Sequence, residues 1–572
     1  MQPAQLIRRP VPEHGPWPAA VPAVLQRVYA ARGVLRPEDA ELKLARLLPP
    51  ESLGHVDAAV RLLALAISAN KHIVIVGDFD CDGATGTAVA VRGLRMLGAT
   101  RVSYQVPHRI THGYGLSPAL VEDMAPISPD LLVTVDNGIA CHAGVAAARA
   151  RGWEVLITDH HLPGPELPPA NVIVNPNLDG DAFPSKALAG VGVMFYLLLA
   201  LRRHLRESGA FVAAEPDLAV LLDLVAVGTV ADLVPLDFNN RLLVSAGLRR
   251  LQHGKCQPGL RALAEVSGRA LEKLGASDIG FAIAPRLNAA GRLEDMALGI
   301  ECLLCDDLAH ARELAAVLDG INAERRDRQQ KMVDDADALV QQLPFDGAPL
   351  PAALALFDPG WHPGVVGLVA SKVKDRLHRP VIAFAPADHG STALRGSARS
   401  IPGFHIRDAL AAVDASHPGL IERFGGHAMA AGLSLGRDRL DEFRAAFAAV
   451  ANSRLAPELL LSQLFTDGEL APAEFTRATA DALRLAGPWG QGFPEPLFDN
   501  VFLVSQWRVL GERHLKMTLL GEAGGSPISA IHFGGFVGTP PPARIHAAYQ
   551  LDVDDFRGRN DIQLLIRHWL PA

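Results

Sequence analysis

The chain has 572 residues, and at about 150 residues per domain this length predicts roughly four domains. Apolar residues make up 49% of it, which is enough for several cores and excludes global disorder. The formal net charge of −8 excludes a polybasic nucleic-acid coat, so any contact with nucleic acid must come from a local basic groove. The 21 histidines raise the question whether some of them meet carboxylates at a metal.

Cysteine content and hydropathy predict a protein of a reducing compartment. Five cysteines, an odd number in so long a chain, do not form a disulfide framework. Arg8 and Arg9 are followed by proline-rich sequence instead of an apolar run, which argues against a signal peptide. Because no stretch of about 18 uncharged apolar residues occurs, we expect no membrane span and a cytoplasmic location.

In chain order, a proline-rich lead-in with short helices comes first and ends near residue 50. Apolar β-branched runs then alternate with helical stretches as far as about residue 240, and these predicted strands are 72–76, 131–135, 154–158 and 171–174. Continuous apolar strands between helices indicate an α/β fold with a mostly parallel sheet that is covered on both faces. Residues 240–300 are predicted to be helical.

The second half of the chain predicts a connector and two smaller domains. A long amphipathic stretch over 306–343 predicts a connector helix, and the turn-rich segment 344–351 marks a boundary. A second α/β unit extends to about residue 455, and the short strands after it predict a small β-barrel. The predicted division is 1–54 (helical lead-in), 55–300 (catalytic domain), 301–345 (connector helix), 346–456 (substrate-binding domain) and 457–572 (barrel domain).

Acidic and histidine side chains follow three successive predicted strands. The first strand leads into GDFDCDG at 77–83, the second into Asp136, and the third into Asp159, His160 and His161. Because ligands bind outside the carboxyl ends of strands in open α/β sheets, we expect these groups to meet at one edge. A further apolar run, 221–230, whose pattern fits a strand or a helix, ends near Asp232, which is a candidate last ligand.

Each of these residues also has an ordinary structural interpretation. An aspartate after a strand often caps the next helix, and a single pair of histidines is usually structural. The prediction of a metal centre therefore depends on the whole set. Carboxylates with a minority of imidazoles suit Mn²⁺ or Mg²⁺, and a carboxylate shared by two ions is typical of phosphoryl displacement.

These motifs resemble the four ordered motifs of the DHH phosphoesterase superfamily. The runs PRLNAAGR at 285–292 and RITHGYGL at 109–116 resemble, more narrowly, the RecJ family of single-strand-specific 5′→3′ DNA exonucleases. The resemblance continues through 361–367, 395–400 and 425–432, in what resembles a DHH-associated domain. It ends with 490–498, which resembles the entry into an OB-fold. The implied fold is a parallel-sheet DHH domain, a connector helix, a smaller α/β domain and an OB-like barrel.

The resemblance implies a role for each candidate residue. One ion would be held by Asp80, Asp136 and neighbours, and the second by Asp82, Asp136, His160 and Asp232. Asp159 would orient the histidines and His161 would touch the scissile phosphate. Asp78 would be a ligand, a proton acceptor or an electrostatic support.

The predicted second domain carries positive charge that the first lacks. Between 351 and 456 twelve lysines and arginines stand against nine acidic residues, a net charge of +3. Arg437, Arg439 and Arg444 are interpreted as a solvated charged face. The candidate contacts to phosphate or nucleic acid are Arg109, Tyr114, Arg286, Asn288, Arg292, His362, Arg395, Arg399 and His427. Tyr114 fits base stacking and buried packing equally well.

The predicted function is two-metal hydrolysis of single-stranded DNA in repair and recombination. Alternatives are another DHH phosphoesterase, such as a nano-RNase or a cyclic-dinucleotide phosphodiesterase, or a non-catalytic DNA-binding scaffold. The resemblance implies a helicase and a single-strand-binding protein as partners and a location at the nucleoid. Because nothing in the sequence demands a dimer, we expect a monomer.

Overall fold

The structure is a computed structural model that describes residues 5–109, 111–212, 214–342, 351–388, 390–522, 524–536, 538–554 and 561–572. Most of the predicted boundary segment, at 344–350, lies outside the described residues. The chain divides into two compact units. The larger unit comprises residues 11–322 and 481–495, and the smaller unit comprises the described residues of 1–10, 323–480 and 496–572.

Strands occur in both units. In chain order the described strands are β1 (Gln5–Arg8), β2 (Ile73–Val76), β3 (Val102–Gln105), β4 (Leu131–Val135), β5 (Glu154–Thr158), β6 (Val172–Val174), β7 (Leu354–Phe357), β8 (Val381–Pro386), β9 (Ala393–Arg399), β10 (Arg423–Gly426), β11 (Ala430–Gly436), β12 (Gln463–Thr466), β13 (Phe498–Leu510), β14 (His514–Gly521), β15 (Ile528–His532), β16 (Arg544–Asp554) and β17 (Asp561–Pro571).

Helices lie between many of these strands. The described α-helices are α1 (Ala23–Ala30), α2 (Pro37–Ala40), α3 (Val56–Ser68), α4 (Cys81–Met96), α5 (Pro118–Asp123), α6 (His142–Ala150), α7 (Gly190–Glu207), α8 (Leu222–Ala231), α9 (Phe238–Gln252), α10 (Pro258–Val266), α11 (Ala276–Asp278), α12 (Ala284–Leu293), α13 (Ala297–Leu304), α14 (Leu308–Gln342), α15 (Val366–Leu377), α16 (Ile406–Ser416), α17 (Leu440–Arg454) and α18 (Arg477–Leu485). None of the described helices has the length and apolar character needed to span a bilayer.

The larger unit is built on a parallel sheet with the strand order β3-β2-β4-β5-β6. Every side chain of β2 and β4 is buried, because helices such as α4 and α7 cover the sheet. The predicted parallel sheet is therefore confirmed, with β4 and β5 at the predicted bounds. Burial on both faces is what makes these strands continuous apolar runs.

The apolar run at 221–230, which fits a strand or a helix by sequence, forms helix α8. Nearly all its side chains are buried, so it has no polar face and no helical periodicity in its sequence. Asp232 lies directly after its last residue. The predicted helical region 240–300 contains most of α9, all of α10, α11 and α12, and the first half of α13.

The smaller unit contains a second α/β sheet with the order β10-β11-β9-β8-β7, in which β7 and β8 are parallel and the remaining pairs antiparallel. Phe384, Phe443 and Phe447 are fully buried in its core. The predicted connector is confirmed as α14, and the division between the units falls within this helix, after Asn322.

The predicted small barrel is confirmed as a closed sheet of β13-β14-β15-β17-β16. Beside it, β1 pairs in parallel with β12, so that Gln5 lies opposite Gln463. The sequence analysis predicts only short helices in the lead-in. It misses β1 because the partner strand lies far away in sequence, and a single short strand gives no local signal of such pairing.

Candidate active site

The carboxyl ends of three neighbouring parallel strands bring the acidic residues together. Strand β2 ends before Asp78, β4 ends before Asp136, and β5 ends before Asp159. Asp80 caps helix α4, because its Oδ1 accepts the N–H of Gly83 at 3.0 Å. The helix-capping interpretation therefore applies to Asp80, and it leaves the second carboxylate oxygen for another partner.

Asp136 is held in an unusual backbone conformation. Its φ is +63°, in the left-handed region that non-glycine residues rarely adopt. Gly190 lies so close that a Cβ there would come within 2.5 Å of the Asp136 Cβ. Such strain persists only where the surrounding structure enforces it, and it is typical of functional sites. Because residue 190 is a glycine, there is room for the Asp136 side chain at the sheet edge.

His160 lies at the centre of the carboxylates. Its Nε2 is 3.0 Å from an oxygen of Asp136, 3.5 Å from Asp232 and 3.9 Å from Asp82. Three sets of possible metal ligands have their donor atoms within 4.8 Å of one another. The sets are Asp78, Asp80 and Asp136; Asp82, His160 and Asp232; and Asp136, His160 and His161. Asp136 and His160 each belong to two of these sets.

The carboxylates at this edge carry an electrostatic penalty. Burial raises the pKa of Asp78, Asp136 and Asp232 well above the ordinary range, and neighbouring aspartates raise it further. Burial and the charge of Asp80 raise the pKa of Asp82 to about 7. The Oδ1 atom of Asp78 is buried without a hydrogen-bond partner among the described residues. A cation offsets repulsion of this kind, so the donor set fits divalent ions.

The N-terminus of helix α7 fixes the orientation of Asp82. The backbone N–H groups of Gly190 and Val191 donate to its two oxygens at 2.6 and 2.9 Å. The positive end of the helix dipole favours a carboxylate at this position. The Asp82 side chain is thereby aligned beside His160 before any ion binds.

The two histidines have opposite pKa shifts. Burial and the charge of His161 lower the pKa of His160 to about 4, so its imidazole is neutral and can bind a metal. Burial also disfavours the charged form of His161, but the hydrogen bond and charge of Asp159 outweigh this and raise the pKa of His161 to about 9. His160 is thus suited to bind a cation, and His161 to carry positive charge.

Asp159 positions both histidines, which supports its predicted orienting role. One of its oxygens accepts the Nδ1–H of His161 at 2.8 Å and the backbone N–H groups of His160 and His161. The other accepts the N–H of Ile139 at 2.9 Å. Hydrogen bonds of this kind fix the orientation and tautomer of functional imidazoles.

Asn175 and Asn177, which the sequence analysis does not single out, hold the same loop. Asn175 donates its side-chain amide to the carbonyl of His161 at 2.8 Å, and Asn177 donates to the carbonyl of His160 at 2.6 Å. A signal for them was present, because both follow the fourth predicted strand in the same way that the aspartates follow the other three.

Tyr114 lies at this edge and is 45% exposed, so its side chain is only partly buried. Its hydroxyl donates to the carbonyl of Asp136 at 3.1 Å, and its ring packs edge-on against Phe79 and His161. The guanidinium of Arg109 stacks on Phe79 at 3.8 Å and donates to the carbonyl of Gly291. Both predicted nucleic-acid contacts therefore lie beside the carboxylates.

Residues 285–292 lie in helix α12, which supports the start of α4. Asn288 accepts the N–H of Cys81 at 2.8 Å, so it braces the start of α4 instead of facing outward. Arg286 is buried, with an ion pair to Asp319 at 2.7 Å and a hydrogen bond to the carbonyl of Ala282. These contacts favour a structural role for Arg286 over the predicted contact with nucleic acid. Arg292, on the last turn of α12, is half-buried.

The smaller unit presents a separate basic face, which we call the arginine face. Arg395, Ser397 and Arg399 alternate along β9 on the face opposite the buried Leu394 and Ala398. Among the described residues no carboxylate pairs with either arginine, whereas Arg439 pairs with Glu442 at 2.9 Å, in keeping with the predicted solvated face. Arginines that lack a carboxylate partner suit an anionic ligand.

The other predicted contacts of the smaller unit lie close to this face. A Cβ at Gly367, near the start of α15, would be 2.9 Å from both Ser397 Oγ and an Arg399 nitrogen, so the helix begins against the two side chains. His427 donates its backbone N–H to Ala430, which lies opposite Arg399 in the sheet. His362 precedes α15 and accepts the N–H of Gly364 through Nδ1 at 3.1 Å.

Comparison with known proteins identifies the class first. The model of the DHH family, N-terminal domain, matches residues 72–229, and that of the DHHA1 domain matches 350–453. Asp78, Asp80, Asp82, Asp136 and Asp159, which with His160, His161 and Asp232 form what we call the acidic edge, thus belong to a DHH-family domain. The RecJ OB domain matches residues 466–568.

Full-length relatives identify the family within this class. Single-stranded-DNA-specific exonuclease RecJ of Dickeya dadantii (strain 3937) is 53% identical over 99% of both chains, and that of Escherichia coli (strain K12) is 49% identical over 100% of both. The crystal structure of RecJ in complex with Mn²⁺ from Thermus thermophilus has a TM-score of 0.80 at 32% identity, covering 99% of this chain and 79% of that one. The chain belongs to the RecJ family.

Proposed function

We propose that this chain is an exonuclease that hydrolyses the phosphodiester bonds of single-stranded DNA with two divalent cations, Mn²⁺ or Mg²⁺. The observation that carries the proposal is the overlap of possible ligand sets at one sheet edge, where Asp136 and His160 each serve two sets. Family membership supports the same activity, because close relatives are named single-stranded-DNA-specific exonucleases.

The residues divide between two cation positions. Asp78, Asp80 and Asp136 would hold one ion, and Asp82, Asp136, His160 and Asp232 the other. Ions bound there supply Lewis-acid activation of the phosphodiester and of a water molecule. The chain contributes a carboxylate cage that is already oriented by α7 and by Gly190, so little reorganisation is needed when the ions bind.

His161 places positive charge beside this cage. Its Nδ1–H is held by Asp159, which leaves Nε2 as the donor toward a phosphate oxygen. With a pKa of about 9 the imidazolium form predominates at neutral pH. A donor of this kind stabilises negative charge that develops on the phosphate, and Tyr114 limits how far the ring can turn.

The arginine face of the smaller unit would bind phosphates of the DNA strand. Arg395 and Arg399 have no carboxylate partner in the described part of the chain, and the strand alternation directs both side chains to one face. Phosphate binding here would contribute affinity without contributing to bond cleavage.

Polarity and cellular context are further parts of the proposal. We propose 5′→3′ degradation in DNA repair and recombination at the nucleoid of the cytoplasm, by a monomer that acts with a helicase and a single-strand-binding protein. We also propose the domain limits 1–54, 55–300, 301–345, 346–456 and 457–572. Limited proteolysis tests these limits, and light scattering of the purified chain tests the monomer.

One digestion experiment tests the activity and its polarity. Oligonucleotides labelled at the 5′ or the 3′ end, single- or double-stranded, are incubated with the chain in Mn²⁺, Mg²⁺, Ca²⁺ or EDTA. We expect early release of the 5′ label from single strands, with Mn²⁺ at least as effective as Mg²⁺ because imidazole ligation suits it. Full activity in EDTA would contradict the two-cation proposal, and early release of the 3′ label would contradict the polarity.

A further inference from the structure

The loop between β3 and α5, which comprises the described residues of 106–117, lies beside the acidic edge. It carries Arg109 and Tyr114, and the Tyr114 hydroxyl donates to the carbonyl of Asp136 at 3.1 Å. Tyr114 stands between two glycines with φ of +76° and +64°, a region that glycine adopts without steric cost. None of residues 111–114 is buried, so core packing does not hold this part of the chain. We call it the Tyr114 loop.

His112 closes the Tyr114 loop on itself. Its backbone N–H donates to the carbonyl of His108 at 2.9 Å, and its Nδ1 accepts the backbone N–H of His108 at 3.0 Å. His112 therefore binds the residue four positions earlier through both its main chain and its side chain. The Nδ1 atom of His108 in turn accepts the N–H of Thr111 at 3.4 Å. These contacts fix the backbone shortly before Tyr114.

The other ring nitrogen of His112 joins the loop to helix α5. Nε2 lies 2.8 Å from Oδ2 of Asp123, the last residue of α5. Because Nδ1 accepts an N–H, the ring proton is on Nε2, which donates to the carboxylate. The side chain of His112 is only 16% exposed, so most of the ring is covered. One imidazole thus uses an acceptor nitrogen toward the loop and a donor nitrogen toward the helix.

Helix α5 is a firm anchor for this contact. Leu120 and Val121 of α5 are buried in one apolar cluster, which also contains Leu116 at the end of the Tyr114 loop. The position of the Asp123 carboxylate therefore depends on core packing. Through the hydrogen bond to Asp123, His112 fixes the uncovered part of the loop relative to that core.

We propose that His112 is a positioning residue, which holds the Tyr114 loop on α5 and so keeps Tyr114 against Asp136 and His161. The inference deepens the proposed exonuclease function and rests on it for the kinetic test. A partly exposed ion pair contributes little to overall stability, so the value of the contact lies in geometry. The Tyr114 ring packs edge-on against His161, and a small displacement of such a neighbour is costly for catalysis.

Four variants separate the two contacts of the His112 ring. His112→Ala removes both of them. His112→Asn keeps an acceptor in the place of Nδ1 and loses the donor to Asp123, whereas His112→Gln keeps a donor in the place of Nε2 and loses the acceptor. Asp123→Ala removes the anchor alone. The matched control is His310→Ala, which removes the exposed pair of His310 with Glu313, 3.2 Å apart on α14.

The kinetic test measures kcat for label release from saturating single strands in Mn²⁺. We expect His112→Ala to lower kcat by about tenfold, and the three variants that keep one contact to lower it less. His310→Ala should keep the original value. Because His112 acts through Tyr114, the double variant His112→Ala/Tyr114→Phe should be about as slow as the slower single variant. Losses that multiply in the double variant, or an unchanged kcat of His112→Ala, would overturn the proposal.

Amide hydrogen exchange tests the same inference without catalysis. The amides of His108 and His112 are hydrogen-bonded within the loop, so they exchange slowly only while the loop is closed. In the metal-free full chain, peptides that cover 106–117 should exchange about fivefold faster in His112→Ala and at the original rate in His310→Ala. Unchanged exchange of peptides from β4 shows that the variant is folded.

The two measurements keep this inference apart from the proposed function. If the original chain releases no label, the proposed function fails, and the exchange measurement alone decides whether His112 holds the loop. If the original chain is active and the 106–117 peptides of His112→Ala exchange at the original rate, the positioning role is overturned and the proposed function stands.

Discussion

The acidic edge of the larger unit and the arginine face of the smaller unit carry uncompensated charges of opposite sign. At the edge, buried carboxylates repel one another and their pKa values are raised. On the arginine face, Arg395 and Arg399 are half-buried cations with no carboxylate partner in the described chain. Each region leaves one sign of charge without internal compensation. In each region the missing charge indicates the proposed ligand, which is a cation at the acidic edge and a phosphate at the arginine face.

Removing a proposed cation ligand from the acidic edge should have the largest effect. Asp82→Ala, Asp136→Ala and His160→Ala should each lower the cleavage rate by roughly 10⁴-fold, the scale expected when one member of a catalytic set is lost. The rate of label release from a single strand in Mn²⁺ measures this effect. The exposed Asp57 on α3 provides a control, and Asp57→Ala should keep the original rate. Near-normal turnover of Asp136→Ala would contradict its role in both cation positions.

Removing a cation from the arginine face should affect binding instead of chemistry. Arg399→Ala should weaken affinity for single-stranded DNA by about tenfold and lower the slope of log K against log salt by about 0.7. The single-turnover rate at saturating DNA should change much less. Arg439→Ala, which removes an arginine already paired with Glu442, is the matched control. Equal losses in both variants would show that the arginine face has no special relation to phosphate.

The stability of the metal-free chain should reveal the repulsion at the acidic edge. Folding raises the pKa of Asp82 from 3.8 to about 7, so this group favours the folded state most below pH 4 and least above pH 7. In EDTA, Asp82→Asn should therefore have the higher Tm, by a margin that widens between about pH 4 and about pH 7. Saturating Mn²⁺ should reverse the order, because only the original chain binds both ions. A margin that stays constant with pH would contradict the raised pKa.

The smallest expected effect concerns Tyr114, whose ring either stacks on a DNA base or only packs against Phe79 and His161. Tyr114→Phe loses the hydrogen bond to the Asp136 carbonyl and should lower kcat by about two- to tenfold, the equivalent of one hydrogen bond. Tyr114→Leu also loses the ring, so base stacking there predicts a further rise in KM for single strands. Equal KM values for the two variants would assign the ring to packing against Phe79 and His161.

Much of the acidic edge could be predicted from sequence, because the pattern is local. Strands β4 and β5 appear in the sequence as unbroken apolar runs, and each acidic group directly follows its strand. The ion pair of Arg286 with Asp319 could not be predicted in this way, since the partners lie on different helices. The same limit applies to α8. Full burial removes its polar face, so the sequence alone does not distinguish it from a strand.

The arginine face was predicted only in part. The basic segment 351–456 predicts Arg395 and Arg399 as candidate phosphate contacts. The sequence does not predict strand β9, whose alternation places both side chains on one face. This alternation does not predict where helix α15 begins. In the structure, Gly367 allows the start of α15 to lie against Ser397 and Arg399. The placement of that helix depends on packing between elements that are distant in the chain, and no local pattern encodes it.

The pairing of β1 with β12 has a consequence for how the chain is made. Arg8 forms hydrogen bonds with Glu469 and with Asp499, which lie 461 and 491 residues further along. At roughly 5–20 residues per second the ribosome needs about 25 to 100 s to reach those partners. Strand β1 therefore lacks its partner strand during the synthesis of most of the chain. The smaller unit is consequently the last to finish folding. A substitution in β1 would disturb the barrel region, although the altered residues leave the ribosome long before the barrel is made.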